Sequence, residues 1–146
     1  MKRENRLHHP AARRAAGWLR QGGQERQANT LNLPFKLIKE AVLGKKYELS
    51  LVFAAPRLSA QLNKKYRRKR GPADILSFCL SKTAGEIFID LKTAKKKAAL
   101  WGEPPRLFAA RLFIHGLLHL KGYRHGSKME REERKFRERF KLKLRS

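Results

Sequence analysis

The stretch LFIHGLLHLKGYRHGSKM places three of the chain's five histidines, His115, His119 and His125, within eleven residues. Imidazole is the side chain that both ligates metals and exchanges protons near neutral pH. Residues four apart share a helical face, so His115 and His119 point the same way if they lie on one helix. Residues 105–121 are apolar nearly all round, which predicts a helix buried on most sides. Gly122 then stands where a helix ends in a left-handed residue, and a turn there can bring His125 back. Three imidazole nitrogens at about 2.0–2.1 Å from one Zn²⁺ leave a fourth position for water, as in catalytic rather than structural zinc sites. A histidine pair on an apolar face is often no more than a hydrogen-bonded core pair. The glycine and third histidine that follow favour metal ligation, with one Zn²⁺ per chain.

The histidine and glycine offsets also match the H-E-x-x-H-x-x-G-x-x-H pattern of zinc peptidases. The glutamate that serves those enzymes as general base is Gly116 here. Peptide hydrolysis therefore ranks below other metal chemistry.

The elements that must hold these residues are legible in outline. Phe35, Ile38, Ala41 and Val42 recur at helical spacing between Pro34 and Gly44. YELSLVFA (47–54) alternates as a strand, and Pro56 opens a helix facing inward through Leu58, Leu62 and Tyr66, which the Gly71-Pro72 pair should break. ADILSFCL (73–80) and GEIFIDL (85–91) read as two further strands. A helix over 92–101, the helix over 105–121 and a charged tail helix complete the order. In that tail Glu130–Arg134 and Glu133–Arg137 are spaced for ion pairs, and Phe136 and Phe140 for docking. The expectation is α+β: a small mixed β-sheet flanked by helices, with the metal site on a buried helix and the turn after it. Residues 1–28 read as a flexible basic arm in which His8 and His9 are tail residues, and 29–146 as one domain.

Thirty-six Lys and Arg against twelve Asp and Glu give a formal charge of +24 over 146 residues. A surface so basic attracts polyanions, of which nucleic acid is the commonest in a cytosol. Cys79 is the only cysteine, so no internal disulfide is available and a reducing, cytoplasmic setting is expected. No apolar run approaches the roughly 18 residues of a membrane span. Arg13-Arg14 has no apolar stretch behind it, so no export signal is expected.

HGLLHLKGYRH resembles the H-G-x-L-H-L-x-G-Y-D-H signature of the YbeY family, bacterial rRNA maturation factors regarded as single-strand-specific, metal-dependent endoribonucleases. LNKKYRRKRGPADILSF is similar to that family's L-N-x-x-Y-R…P-T-[DN]-V-L-S-F segment, and GEIFID to its G-D-I-x-I strand. The matches keep the family's order over roughly residues 35–125. The resemblance implies zinc ligation by His115, His119 and His125, and a functional role for Arg67, whose guanidinium suits the charge that builds on a phosphoryl group during cleavage. It also implies a cleft rimmed by Lys64, Lys65, Arg68, Lys69 and Arg70 for an RNA backbone, with precursor rRNA or a ribosomal subunit as partner and no nucleotide cofactor. Attack by water and attack by the ribose 2′-OH both remain open. Three positions depart from the pattern: Arg124 replaces the signature aspartate, Ala73 a threonine and Cys79 a proline. Between residues 49 and 129 the carboxylates are Asp74, Glu86, Asp90 and Glu103, and Asp74 or Glu86 is the candidate base. A non-catalytic RNA- or ribosome-binding factor with a structural metal is the alternative.

Overall fold

The computed structural model describes residues 31–140, so the arm read at 1–28, with His8 and His9, lies outside the described residues. Within them the order is α1 (Phe35–Leu43), β1 (Glu48–Phe53), α2 (Pro56–Arg67), β2 (Ile75–Ser81), β3 (Ala84–Ile89), α3 (Leu91–Trp101), α4 (Pro105–Lys121) and α5 (Ser127–Arg139). The strands form one mixed sheet in the order β1-β3-β2, with β1 parallel and β2 antiparallel to β3. The fold is therefore α+β, as the residue pattern predicts. Parallel pairing of β1 with β3 requires a crossover, which α2 and β2 supply, whereas β2 and β3 form a hairpin.

Strand alternation divides the core in two. Leu51, Phe53, Ile87 and Ile89 face a cluster built from α1, α4 and α5, while Val52, Leu76, Phe78 and Phe88 face Leu62 of α2. Hence α2 and α4 cover opposite faces of the sheet. Phe113, Ile114 and Leu117 of α4 are fully buried. Truncating one of them to Ala costs about 2–5 kcal/mol at such sites. Helix α3 packs beside α4 through Ala94, Ala98 and Phe108.

Helix α4 approaches the sheet tightly at Gly116. A Cβ there would lie 2.9 Å from Ile75 Cδ1, 2.9 Å from Ser77 Oγ and 3.1 Å from Ile87 Cδ1. Glycine thus lets α4 settle onto β2 and β3. A longer side chain at 116 would drive into the sheet.

Two of the boundaries that differ from the sequence pattern have a visible structural cause. The strand expected to run to residue 91 stops at Ile89, because Asp90 caps α3 by accepting hydrogen bonds from Thr93 N (3.0 Å) and Thr93 Oγ1 (2.8 Å). The fully buried Asp90 also accepts from Ser59 Oγ at 2.6 Å, which ties α2 to the start of α3. Helix α2 ends at Arg67, before Gly71-Pro72. Arg68 is left-handed (φ 58°), and the amides of Arg68 and Lys69 return to the carbonyls of Lys64 and Asn63. Asn63 Nδ2 then donates to Gly71 O at 2.9 Å and closes the basic loop onto its helix.

Candidate metal centre

The end of α4 shows how the three histidines meet. Gly122 (φ 112°) directs its amide to His119 O, and the Tyr123 amide returns to Leu118 O, so the helix stops in a tight left-handed turn. The chain doubles back and sets His125 against the two helical imidazoles. Ring centroids lie 4.7 Å (His115–His119), 5.1 Å (His115–His125) and 4.7 Å (His119–His125) apart. One ligand atom from each lies within 4.8 Å of the others, a spacing that one ion can bridge. His115 and His119 are half-buried and His125 is exposed, so the cluster opens to solvent on one side.

Hydrogen bonds settle which nitrogens are available. His119 Nδ1 faces the Tyr123 carbonyl at 3.2 Å, and His115 Nδ1 contacts Glu133 Oε2. In both rings Nδ1–H donates outward and leaves the Nε2 lone pair free. This carboxylate- and carbonyl-anchored arrangement is the one that fixes the tautomer of metal-binding histidines. Burial, reinforced by the nearby charges His115 and His125 would carry, lowers the His119 pKa to about 4 against an ordinary 6.5. The ring is thus neutral at physiological pH, as a ligand must be. The donor set fits a borderline divalent cation such as zinc.

Glu133 lies outside the span of residues 49–129 from which the candidate bases come, yet it is the carboxylate in contact with the cluster. The sequence did carry a signal: Met129, Glu133, Phe136 and Phe140 follow helical spacing, and the three apolar members pack on the core. A carboxylate within the inward stripe of an otherwise solvated helix needs a partner, and His115 provides it. The i,i+4 pairing expected between Glu133 and Arg137 gives way to this contact.

The other candidates separate. Asp74 pairs with Lys97 of α3 at 3.2 Å. Glu86 follows the alternation of Phe88, so it is buried on the α2 side of the sheet, opposite α4. Cys79 is half-buried, with Sγ 3.4 Å from Ser81 O at the irregularity of β2, and stands apart from the cluster. Arg124 is exposed. Arg67 ends α2, and with Lys64, Lys65, Arg68, Lys69 and Arg70 it forms an exposed basic rim leading into edge strand β2. No described helix is long and apolar enough to cross a membrane.

Known proteins with this pattern can now be set beside it. The family described as Endoribonuclease YbeY matches residues 22–144. Proteins named Endoribonuclease YbeY from Pelotomaculum thermopropionicum, Aquifex aeolicus and Spiroplasma citri are 32%, 38% and 33% identical over 108, 97 and 116 residues. Those alignments cover 66%, 62% and 70% of this chain and 71%, 64% and 73% of the relatives. A Thermotoga maritima protein solved in solution shares the fold with a TM-score of 0.58 at 22% identity, across 80% of this chain and 82% of its own. Sequence similarity extends well beyond the histidine segment, through the strands and the α2 loop, and on that extent the chain belongs to the YbeY family.

Proposed function

We propose that the protein is a metal-dependent endoribonuclease that cleaves single-stranded RNA during rRNA maturation in the cytoplasm, with one Zn²⁺ held by His115, His119 and His125. The observation that carries this reading is the convergence of three imidazoles, two of them oriented through Nδ1 by Glu133 and the Tyr123 carbonyl. Zinc in such a site supplies Lewis acidity at a phosphoryl oxygen and brings the pKa of a water towards about 7.

The chain's own groups would do the remaining tasks. Glu133 holds the His115 ring in its ligating tautomer and partly offsets the charge of a bound cation. The rim of Lys64, Lys65, Arg68, Lys69 and Arg70 attracts the RNA backbone through its phosphates, without reading sequence. Arg67 is assigned to the charge that develops on the phosphoryl oxygens, where a bidentate guanidinium acts best. His125, exposed at the mouth of the cluster, leaves that side open to an entering strand.

Labelled single-stranded and duplex RNAs of one sequence, incubated with the zinc-loaded chain, test the proposal. Cleavage of the single strand only, abolished by chelator and by His119→Ala, is the expected outcome. A 2′,3′-cyclic phosphate end would assign the nucleophile to the ribose. Arg124 beside His125 favours the second reading, a non-catalytic RNA-binding factor with a structural metal. RNA binding without metal-dependent cleavage would select it.

A further inference from the structure

One turn before His115 on the same face of α4 stands Arg111. Its guanidinium is held against the ring system rather than extended freely, with the side chain 27% exposed. Cζ lies 5.3 Å from the Phe108 ring centroid and 5.8 Å from that of Trp101, and Nη2 pairs with Glu103 at 2.9 Å. Trp101 itself meets Phe108 edge-on at 6.0 Å. The indole is therefore held from two sides, yet it is 65% exposed, and Leu100 beside it is 82% exposed. An exposed indole fixed in place by its neighbours offers a flat, pre-ordered face to a ligand.

Charge indicates which occupant. Lys95, Lys96 and Lys97 are exposed on α3, and Lys97 joins Asp74, four residues beyond Arg70 of the basic loop. The basic rim of α2 thus continues along α3 towards Trp101. Because Glu103 pairs with Arg111, that guanidinium serves as a flat brace, and the lysines supply the attraction for phosphate. Phe108 lies seven residues, roughly 10 Å along the axis of α4, before His115, and the indole meets the Phe108 ring at 6.0 Å. A strand with a phosphate at the histidines would carry a base to Trp101 within a few nucleotides.

We propose that Trp101, braced by Arg111 and Phe108, is a stacking platform for a nucleobase of single-stranded RNA bound next to the histidine cluster. This rests on the RNA-cleaving reading above and assigns it a base-contact subsite. Stacking on an exposed aromatic is tolerant of sequence and excludes duplex RNA, whose bases are already stacked.

The test uses the full chain with Trp18→Phe, so that Trp101 is the only tryptophan. It is titrated with a short adenosine oligoribonucleotide and with an abasic strand of equal phosphate number. Quenching of Trp101 emission by the base-bearing strand alone is expected. In the Trp101→Ala chain the affinity ratio between the two strands should fall about tenfold, and Trp101→Phe should restore most of it. Circular dichroism checks that each variant folds. If RNA binds with Trp101 emission and the ratio both unaltered, the platform is wrong while the RNA reading stands, and the indole is left to a protein partner. If neither strand binds the unsubstituted chain, both readings fail together.

Discussion

Glu133 and Tyr47 show how far single side chains can be pressed. Removing a carboxylate that orients a ligating imidazole weakens metal affinity by about 10–100-fold in comparable sites. Glu133→Ala should therefore lower zinc affinity by that factor in a competition titration against a chromogenic chelator, with the fold intact. Glu132→Ala, which loses only a surface contact to Lys135, should leave affinity unaltered. Equal affinities in the two variants would show that Glu133 does not orient His115. Tyr47 carries a buried hydroxyl with no hydrogen-bond partner among the described residues, and burial first, then the nearby Cys79, raises its pKa from 10.0 to about 12. Between those values the unfolded chain releases a proton that the folded chain retains, so stability falls as pH rises through that window and is unaffected below it. Tyr47→Phe should flatten this decline, measured by urea melts at pH ~9 and pH ~11, and should not destabilise the protein at neutral pH. The histidine cluster could be read from spacing because local helix geometry decides it. Neither the Glu133 contact nor the isolation of the Tyr47 hydroxyl could be, since both depend on how distant elements pack.

The elements were legible wherever their start and stop signals are local. Pro105 and Gly122 bound α4 as their residue types require, and the buried helix between them follows from its composition. The end of β3 and the end of α2 were not legible in the same way. Asp90 reads as a strand residue until Ser59 and Thr93 are seen to converge on it, and Arg68 adopts a left-handed conformation that its residue type does not announce. Gly116 is the instructive case at this scale. In the sequence it is a missing general base; in the fold it is the contact that lets α4 approach β2. Gly116→Ala should destabilise the protein by about 1–3 kcal/mol, as overpacking does elsewhere, seen as a lower urea midpoint. The Ile75 methyl can shift but the short Ser77 side chain has less freedom, which favours a measurable loss. An unaltered midpoint would mean that the helix sits farther from the sheet than these distances state.

A charge of +24 is a property of the whole molecule, and its consequence is a salt dependence rather than a contact. Net charge announced a polyanion partner in the sequence, but it could not say which cations share a surface. The fold gathers the α2 loop and the lysine edge of α3 around the start of edge strand β2, joined through the Lys97–Asp74 pair. Each phosphate neutralised on single-stranded RNA contributes a slope of about −0.7 to log affinity against log salt. A Lys69→Ala/Arg70→Ala chain should therefore bind more weakly, with a slope shallower by about 1.4. Arg67→Ala belongs to a different class. If its guanidinium meets the phosphoryl oxygens in the transition state, its removal lowers the cleavage rate at saturating RNA by about 10²–10³-fold, beyond any change in affinity. Single-turnover rates beside binding isotherms over a salt series separate the two effects. A rate for Arg67→Ala that falls only in step with affinity would return Arg67 to the basic rim and leave the charge on the phosphate to the metal.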